Sequence, residues 1–188
     1  MICGYSISLS AKIGFGTRIG VEKARIERAE IGRFNVFKGP FRLQIEEGAN
    51  IVDWNTFECG KWAVEERFRD DGYLRLCTIG KNALITSGHF NDATGGFQIG
   101  DNSWIAGSGS QFWTHGAGVA DRAISIGSDC YIGSAARFAP GVVLGNNCLV
   151  GLGSVVISKF DANNLLIGGA RAKILKEEYD WKKHSPIP

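Results

Sequence analysis

Apolar residues return at every sixth position through much of the C-terminal half of the chain. Between positions 126 and 156 each sixth residue is aliphatic or aromatic, and Gly follows four of the six directly: Ile126, Ile132, Phe138, Leu144, Val150 and Val156. A period of six fits neither the 3.6-residue turn of a helix nor an alternating hairpin strand. The spacing therefore predicts a repeat architecture with one short strand and one turn per hexad.

Three hexads make a triangular coil of eighteen residues. Residues eighteen apart are then expected to stack at the inter-strand distance of about 4.8 Å, which pairs Ile126 with Leu144, Ile132 with Val150, and Phe138 with Val156. The fifth place of each hexad holds a small residue, because a bulky group would crowd the corner: Cys130, Ala136, Val142, Cys148 and Ser154. We predict a core of stacked aliphatic side chains edged by small ones.

The same pattern runs through most of the chain in separate pieces. Its members are Ile7, Ile13, Ile19, Ile31 and Phe37, then Ile45, Ile51 and Phe57, then Ile79 and Ile85, and then Ile99 and Ile105. The phase slips by two residues between Leu43 and Ile45. Each interruption predicts a protruding loop, and the two longest are residues 58–78, which are rich in charge, and residues 111–125, which contain His115.

Composition narrows the class of protein. The 188 residues suit one domain, and 26 Gly with only four Pro suit a repeat that turns on glycine. A net charge of +2 gives no reason to expect a nucleic-acid partner. The sequence shows no signal-peptide pattern and no apolar stretch near twenty residues, so we expect a cytoplasmic protein without membrane insertion. Cys130 and Cys148 are then expected to stack as reduced thiols.

Three segments carry a family resemblance in addition to the hexad spacing. With Pro140-Gly141-Val142, Val150 to Val156 and Ile167 to Ile174, the chain resembles the hexapeptide-repeat acyltransferases, and most nearly the galactoside- and maltose-type sugar O-acetyltransferases. The family ending Gly-Asn-Pro-Ala-Lys/Arg keeps its frame here as Gly169 to Lys173, with Asn and Pro replaced. The resemblance covers residues 79–175 well and the first 78 residues only through the repeat.

This resemblance implies an all-β fold, a left-handed parallel β-helix of hexapeptide repeats. Residues 1–170 would form the β-helix domain with its two loops, and residues 171–188 a short C-terminal helix and tail. The helix is expected over Ala172 to Lys183, where Ile174, Leu175, Tyr179 and Trp181 would cover an open end. The resemblance also implies a homotrimer with active sites between subunits, acetyl-CoA as acyl donor, and a small sugar as acceptor.

Acyl transfer to a hydroxyl needs a base that works near neutral pH, and histidine suits that role. The chain has three histidines. His115 stands in Gln-Phe-Trp-Thr-His-Gly, at the place of the family's catalytic His, so we expect it to activate the acceptor for direct attack on the thioester without an acyl-enzyme. His89 either contacts the acceptor, orients His115, or is a buried structural histidine. His184 lies near the C-terminal end and is given no role.

Further site residues follow from the resemblance. Asn91 and Asp92 lie near the family's sugar-facing polar residues, although ordinary turn residues are an alternative. Trp113 offers an apolar face either to a sugar ring or to the next subunit. The cofactor is expected in a groove beside the C-terminal coils, against Ser134, Ala135, Gly151, Gly153 and Ser154, with its phosphates met by Lys159, Arg171 and Lys173.

Alternative functions remain on the same fold. A γ-class carbonic anhydrase needs three metal-binding histidines, and only His89 and His115 fall within the coils, so no metal is expected. A nucleotidyltransferase would need a nucleotide-binding domain before the hexads, which begin by Ile7. A non-catalytic scaffold and an N-acyltransferase of a nucleotide-linked amino sugar stay open. An O-acetyltransferase acting on a surface-polysaccharide intermediate or a small glycoside is favoured.

Overall fold

The chain winds into a left-handed parallel β-helix with three flat faces. A computed structural model describes residues 4–184; residues 1–3 and the last four residues of the predicted tail, 185–188, lie outside the described residues. Strands pair with the strand one coil before and one coil after, and every strand pair before the last is parallel. The predicted all-β hexapeptide-repeat fold is therefore confirmed.

Each coil contributes one strand to each face. The first face contains β1 (Tyr5–Ile7), the second halves of β3 (Arg18–Ile26) and β5 (Val36–Ile45), β8 (Leu76–Ile79), β11 (Phe97–Ile99), β14 (Ile124–Ile126) and β17 (Val143–Leu144). The second face contains β2 (Lys12–Ile13), β4 (Glu30–Ile31), β6 (Asn50–Ile51), β9 (Leu84–Ile85), β12 (Trp104–Ile105), β15 (Tyr131–Ile132), β18 (Leu149–Val150), β20 (Leu166–Gly168) and β21 (Lys173–Lys176). The third face contains the first halves of β3 and β5, β7 (Thr56–Glu58), β10 (Phe90–Asp92), β13 (Gln111–Phe112), β16 (Arg137–Phe138) and β19 (Val155–Val156).

The predicted stacking is confirmed residue by residue in the C-terminal coils. The register pairs Ile126 with Leu144, Ile132 with Val150, and Phe138 with Val156. The five small residues of the fifth hexad places are all buried. One apolar column per face thus fills the triangular interior, and aromatic rings stack within the third-face column, where the Phe112 and Phe138 centroids are 4.8 Å apart.

A chain of buried polar side chains runs along the corner between the second and third faces, which we call the ladder corner. In five successive coils the residue just before the third-face strand accepts, through its side chain, a hydrogen bond from the backbone N–H of its counterpart one coil later. The bonds are Asn35 to Thr17 Oγ1 (3.0 Å), Asn55 to Asn35 Oδ1 (2.9 Å), His89 to Asn55 Oδ1 (2.9 Å), Ser110 to His89 Nδ1 (3.1 Å) and Ala136 to Ser110 Oγ (3.2 Å). This polar ladder satisfies amides that the strand pairing leaves free at the corner.

Both predicted loops leave the helix at the corner between the third and first faces, which we call the insert corner. The first insert, residues 59–75, contains two 3-10 helices, Lys61–Val64 and Glu66–Asp71. The second insert, residues 113–123, joins β13 to β14. The helices found among residues 4–184 are too short to form an apolar membrane span. The two inserts are separated by one coil, whose own turn at this corner is residues 93–96.

The predicted helix over Ala172 to Lys183 is wrong for most of its length. Lys173–Lys176 forms strand β21, which pairs antiparallel with β20, and only a single 3-10 helix follows at Trp181–His184. The physical reason is the free edge of β20, whose backbone groups the returning strand satisfies. Ile174 and Leu175 remain exposed, while Trp181 is buried and donates its indole N–H to the Asp129 carbonyl at 2.8 Å.

Candidate active site

His115 and Asp92 form a hydrogen-bonded pair at the insert corner. Asp92 is the last residue of β10, and His115 lies near the start of the second insert, one coil later. His115 Nδ1 lies 2.6 Å from Asp92 Oδ2. The His115 side chain is 35% exposed, whereas that of Asp92 is 2% exposed. The pair therefore joins a buried carboxylate to an imidazole that solvent can reach.

Hydrogen bonds hold Asp92 as a carboxylate in spite of its burial. Its Oδ1 accepts the Thr94 N–H at 2.9 Å, and its Oδ2 accepts the Thr114 N–H at 2.8 Å and lies 2.7 Å from the Thr114 hydroxyl. Burial by itself raises the pKa of Asp92, but the hydrogen bonds from Thr94 and Thr114 outweigh it and lower the pKa below its usual value. Asp92 is thus ionised at neutral pH.

An ionised Asp92 fixes the proton of the neutral imidazole on Nδ1. The carboxylate can only accept, so Nδ1 is the donor in the 2.6 Å contact. Nε2 is then left with its lone pair, and it has no hydrogen-bond partner within residues 4–184. A histidine oriented by a buried carboxylate, with its other nitrogen free, is the arrangement of a general base.

Gly95 allows the second insert to approach the corner of the preceding coil closely. Its N–H donates to the Thr114 hydroxyl at 2.8 Å. A Cβ at this position would lie 2.1 Å from the Thr114 carbonyl oxygen and 2.6 Å from Arg122 Cβ. Only glycine fits here, and this close approach is what brings His115 to Asp92.

An aromatic cluster from the first insert lies against His115. The Trp62 ring meets the imidazole edge-on, with centroids 5.3 Å apart, and also contacts Phe68 at 5.1 Å and Tyr73 at 5.2 Å. All three rings are half-buried. The first insert therefore supplies one apolar wall of the His115 site.

His89 is a buried structural histidine, the third of the alternatives considered for it. It is 2% exposed, and its Nδ1 accepts the Ser110 N–H of the polar ladder, so its Nε2–H is the group that meets Thr86 Oγ1 at 3.0 Å. Burial lowers the pKa of His89 to about 4, against a smaller opposing effect from a hydrogen bond to the Gly107 backbone. His89 is therefore neutral at pH 7, and both of its ring nitrogens form hydrogen bonds within the protein.

The expectation that Asn91 and Asp92 contact a sugar is corrected by their burial. Asn91 is 0% and Asp92 1% exposed. Asn91 stands in the third-face column, paired with Phe57 on one side and Phe112 on the other, because it takes the inward hexad place six residues after Ile85. The Asp92 carboxylate is instead hydrogen-bonded to His115. Neither side chain is open to a surface ligand.

Trp113 remains a candidate for an acceptor or subunit contact. It is 40% exposed, its ring packs on Phe90 with centroids 4.6 Å apart, and its indole N–H donates to Gln111 Oε1 at 3.3 Å. The packing on Phe90 fixes the ring on the surface of the third face, immediately before Thr114 and His115.

The small residues expected to line a cofactor groove come together at the ladder corner of the last coils. Ser134 and Ala135 stand in one turn, and Gly151, Gly153 and Ser154 stand in the turn stacked on it. The Ala135 and Gly153 amides already donate to carbonyls of preceding coils, those of Ser108 and Ser134, both at 2.8 Å. Ser154 is buried, with its hydroxyl on the Gly151 carbonyl. The corner thus presents a track of small residues with few free amides, beside the exposed side chain of Leu152.

The three expected phosphate-binding cations do not share one location. Arg171 and Lys173 are exposed and follow Gly169, which continues the ladder corner by accepting the Val155 N–H at 3.0 Å. Lys159 instead lies at the insert corner and forms an ion pair with Asp121 of the second insert at 2.6 Å. Within this chain Lys159 is thus separated from the other two by the width of the third face.

Sequence reasoning missed three features of this site. The positioning role of Asp92 depends on a contact between residues 23 apart that hexad counting does not give. The contact of Trp62 with His115 joins the two inserts, where no repeat relates sequence position to position in space. Only the inward place of Asn91 had a signal, since it follows Ile79 and Ile85 at the same interval of six.

Comparisons with known proteins agree with this fold. Residues 123–158 match the family described as hexapeptide repeat of succinyl-transferase. A maltose O-acetyltransferase from Clostridium difficile shares 19% identity over 71% of this chain and 70% of its own, with a TM-score of 0.52. A polysialic acid O-acetyltransferase shares 17% identity over 94% of this chain and 86% of its own, with a TM-score of 0.51. A Vibrio cholerae hexapeptide-repeat acetyltransferase, complexed with acetyl coenzyme A, shares 24% identity over 71% of this chain and 73% of its own, with a TM-score of 0.50. The resemblance to hexapeptide-repeat proteins is confirmed.

Proposed function

We propose that this protein is an acetyl-CoA-dependent O-acetyltransferase that modifies a sugar hydroxyl, with His115 as general base. The observation that carries the proposal is the 2.6 Å hydrogen bond between His115 Nδ1 and the buried Asp92 carboxylate. It leaves Nε2 free on a side chain that solvent reaches. The fold, whose solved relatives include sugar O-acetyltransferases, supports the same chemistry.

The proposed reaction is a direct transfer. His115 Nε2 takes the proton of the acceptor hydroxyl while the hydroxyl oxygen attacks the thioester carbonyl, and a C–O bond forms. The tetrahedral intermediate then expels the thiolate as the C–S bond breaks, and the proton on Nε2 passes to the sulfur. Asp92 stabilises the imidazolium between these steps without taking its proton. The proton balance closes, and His115 returns to its starting state.

The acyl donor is proposed to lie along the ladder corner of the last coils. Gly153 has a φ of +66° and nothing within 4 Å of where a Cβ would stand, and Ala135 at the preceding turn is exposed. An extended pantetheine arm fits such a track. Arg171 and Lys173, exposed just beyond it, are proposed to meet the phosphates. Lys159 joins this site only if a neighbouring subunit brings its insert corner to the groove.

A homotrimer with active sites between subunits is part of the proposal. Phe15, Phe34 and Trp54 form an exposed aromatic stack along the ladder corner of the first three coils, with Phe34 and Trp54 centroids 4.3 Å apart. Phe15 is 80% and Trp54 61% exposed. Rings exposed to this extent are typical of surfaces that another subunit covers. We also propose a cytoplasmic setting, in which the four described cysteines stay free thiols.

The test is release of free CoA thiol from acetyl-CoA in the presence of sugar acceptors. His115→Ala is expected to lower turnover by at least about 100-fold while circular dichroism and oligomeric mass stay unchanged. His184→Ala is the matched control, because that histidine is exposed and lies in the C-terminal 3-10 helix. Near-normal turnover of the His115 variant would refute the assignment of the base.

A further inference from the structure

The two inserts line an open cleft beside the His115 site. It measures about 430 Å³ and is lined by Phe68, Asp71, Tyr73, the segment Gly116 to Ala120, and Arg122. Trp62 touches Phe68, Tyr73 and His115, so the same aromatic cluster walls both the cleft and the base. The lining segment of the second insert begins at the residue directly after His115.

Arg122 ties the inserts together and still has donors to spare. Its guanidinium lies over the Tyr73 ring, with Cζ 4.3 Å from the centroid, and its Nη1 donates to the main-chain carbonyl of Asp71. It has no carboxylate partner among residues 4–184, and its buried Nε has no hydrogen-bond partner there. A guanidinium held in place by an aromatic ring keeps the N–H groups of Nη2 for a ligand in the cleft, although Nε itself is buried.

The polar groups of the cleft balance in charge. One guanidinium, from Arg122, is matched by one carboxylate, from Asp71, which also forms no ion pair among the described residues. Two aromatic rings and a glycine-rich stretch of backbone complete the lining. Neighbouring hydroxyls on a ring suit this set, since they accept from the guanidinium and donate to the carboxylate.

We infer that this cleft binds the acceptor as an uncharged polyhydroxyl ring and that Arg122 and Asp71 set this preference. The inference rests on the proposed function for the identity of the reaction. A sugar carboxylate beside Asp71, or a sugar ammonium beside Arg122, would be repelled, whereas hydroxyls pair with both groups, so an uncharged ring is the class of acceptor that suits both charges at once. The first insert is thereby assigned to the acceptor side of the site.

The test compares methyl β-galactoside, glucuronic acid and glucosamine as acceptors for the wild-type protein and two variants. Arg122→Gln is expected to raise KM for the galactoside about tenfold, with kcat and KM for acetyl-CoA changed less than about threefold. Arg67→Gln is the matched control, because Arg67 lies over Phe68 in the same manner at 4.7 Å but does not line the cleft. An unchanged galactoside KM in the Arg122 variant would overturn the inference.

Asp71→Asn supplies a second arm that leaves the tie between the inserts in place, because Arg122 bonds to the main-chain oxygen of Asp71. This change is expected to lower KM for glucuronic acid relative to the galactoside by several-fold. An unchanged ratio of the two KM values would contradict the role of Asp71. If Arg122→Gln lowers kcat and leaves the galactoside KM unchanged, Arg122 only holds the two inserts together, and the inference fails.

Binding without turnover separates this inference from the proposed function. Saturation-transfer NMR with methyl β-galactoside is expected to show contact in the wild type and its loss in Arg122→Gln, whether or not acetyl transfer occurs. If the sugar binds in this way but no CoA is released, the assignment of the cleft to sugar binding is supported and the proposed reaction is refuted. If transfer proceeds and the Arg122 variant binds and reacts normally, the reaction stands and the cleft assignment fails.

Discussion

When this protein unfolds in acid, His89 takes up nearly one proton. Replacing His89 with Asn is expected to abolish that uptake. The neutral ring of His89 accepts the Ser110 N–H through Nδ1 inside the polar ladder, and a protonated ring has no lone pair for that bond. Burial lowers its pKa to about 4 from the usual 6.5. The stability that depends on neutral His89 is therefore complete above pH 6.5 and is lost as the pH falls toward 4.

The size of the effect follows from this difference in pKa. At about 1.4 kcal/mol for each pH unit, the whole interval corresponds to about 3 kcal/mol, and the part between pH 6.5 and 4.5 to about 2 kcal/mol. Asn is the replacement of choice because Asn35 and Asn55 already hold the same ladder place in earlier coils. An Asn amide accepts the Ser110 N–H and does not titrate.

The assay is urea unfolding followed by tryptophan fluorescence at pH 7.5, 6.5, 5.5 and 4.5, at one fixed protein concentration. The wild type is expected to lose about 2 kcal/mol more than His89→Asn between pH 6.5 and 4.5. His89→Ala is expected to be less stable than His89→Asn at pH 7.5 by about 1 to 3 kcal/mol, because the Ser110 N–H is left unpaired. His184→Asn serves as control and keeps the wild-type slope. Parallel pH profiles for the wild type and His89→Asn would refute the argument.

Three further substitutions test the site. Asp92→Asn is expected to lower turnover by at least about 100-fold with the fold intact, since the imidazole loses the carboxylate that orients it; activity within threefold of wild type would remove Asp92 from the mechanism. Gly95→Ala forces a Cβ to within 2.1 Å of the Thr114 carbonyl, so kcat and the melting temperature are both expected to fall, and a fully active variant would contradict the close approach. Lys173→Ala is expected to raise KM for acetyl-CoA more than for its dephospho analogue, with the exposed Lys176 as control; equal increases would place Lys173 away from the 3′-phosphate.

The fold was largely predictable because stacking coils repeat one local rule. The interval of six reports the inward place directly, and the pairing of Ile126 with Leu144 follows from counting alone. The same rule applied after Ile85 gives the buried place of Asn91. The C-terminal strand differs from the helix that the family resemblance implies for Ile174 and Leu175, because pairing with the free edge of β20 decides the structure there.

The site was predictable only in part, since its members come from breaks in the repeat. His115 was found because the repeat stops before it and resumes at Ile126. Its contact with Asp92 depends on how far the second insert folds back over Gly95, and the contact with Trp62 depends on the shape of the first insert. Both are tertiary contacts between irregular segments, for which hydrophobic periodicity carries no information.

Both inserts emerge from one corner of the helix, and this has a consequence for how such a chain can change. Residues 61–73 can be lengthened, shortened or exchanged without altering the register of a coil, because the strands on either side pair with neighbours that stay where they are. The track proposed for the acyl donor lies at a different corner. The proposed acceptor cleft draws its lining from both inserts, so an exchange of the two inserts together, with Trp62 kept against His115, is the change by which the choice of acceptor would be reprogrammed while the donor track is inherited unchanged.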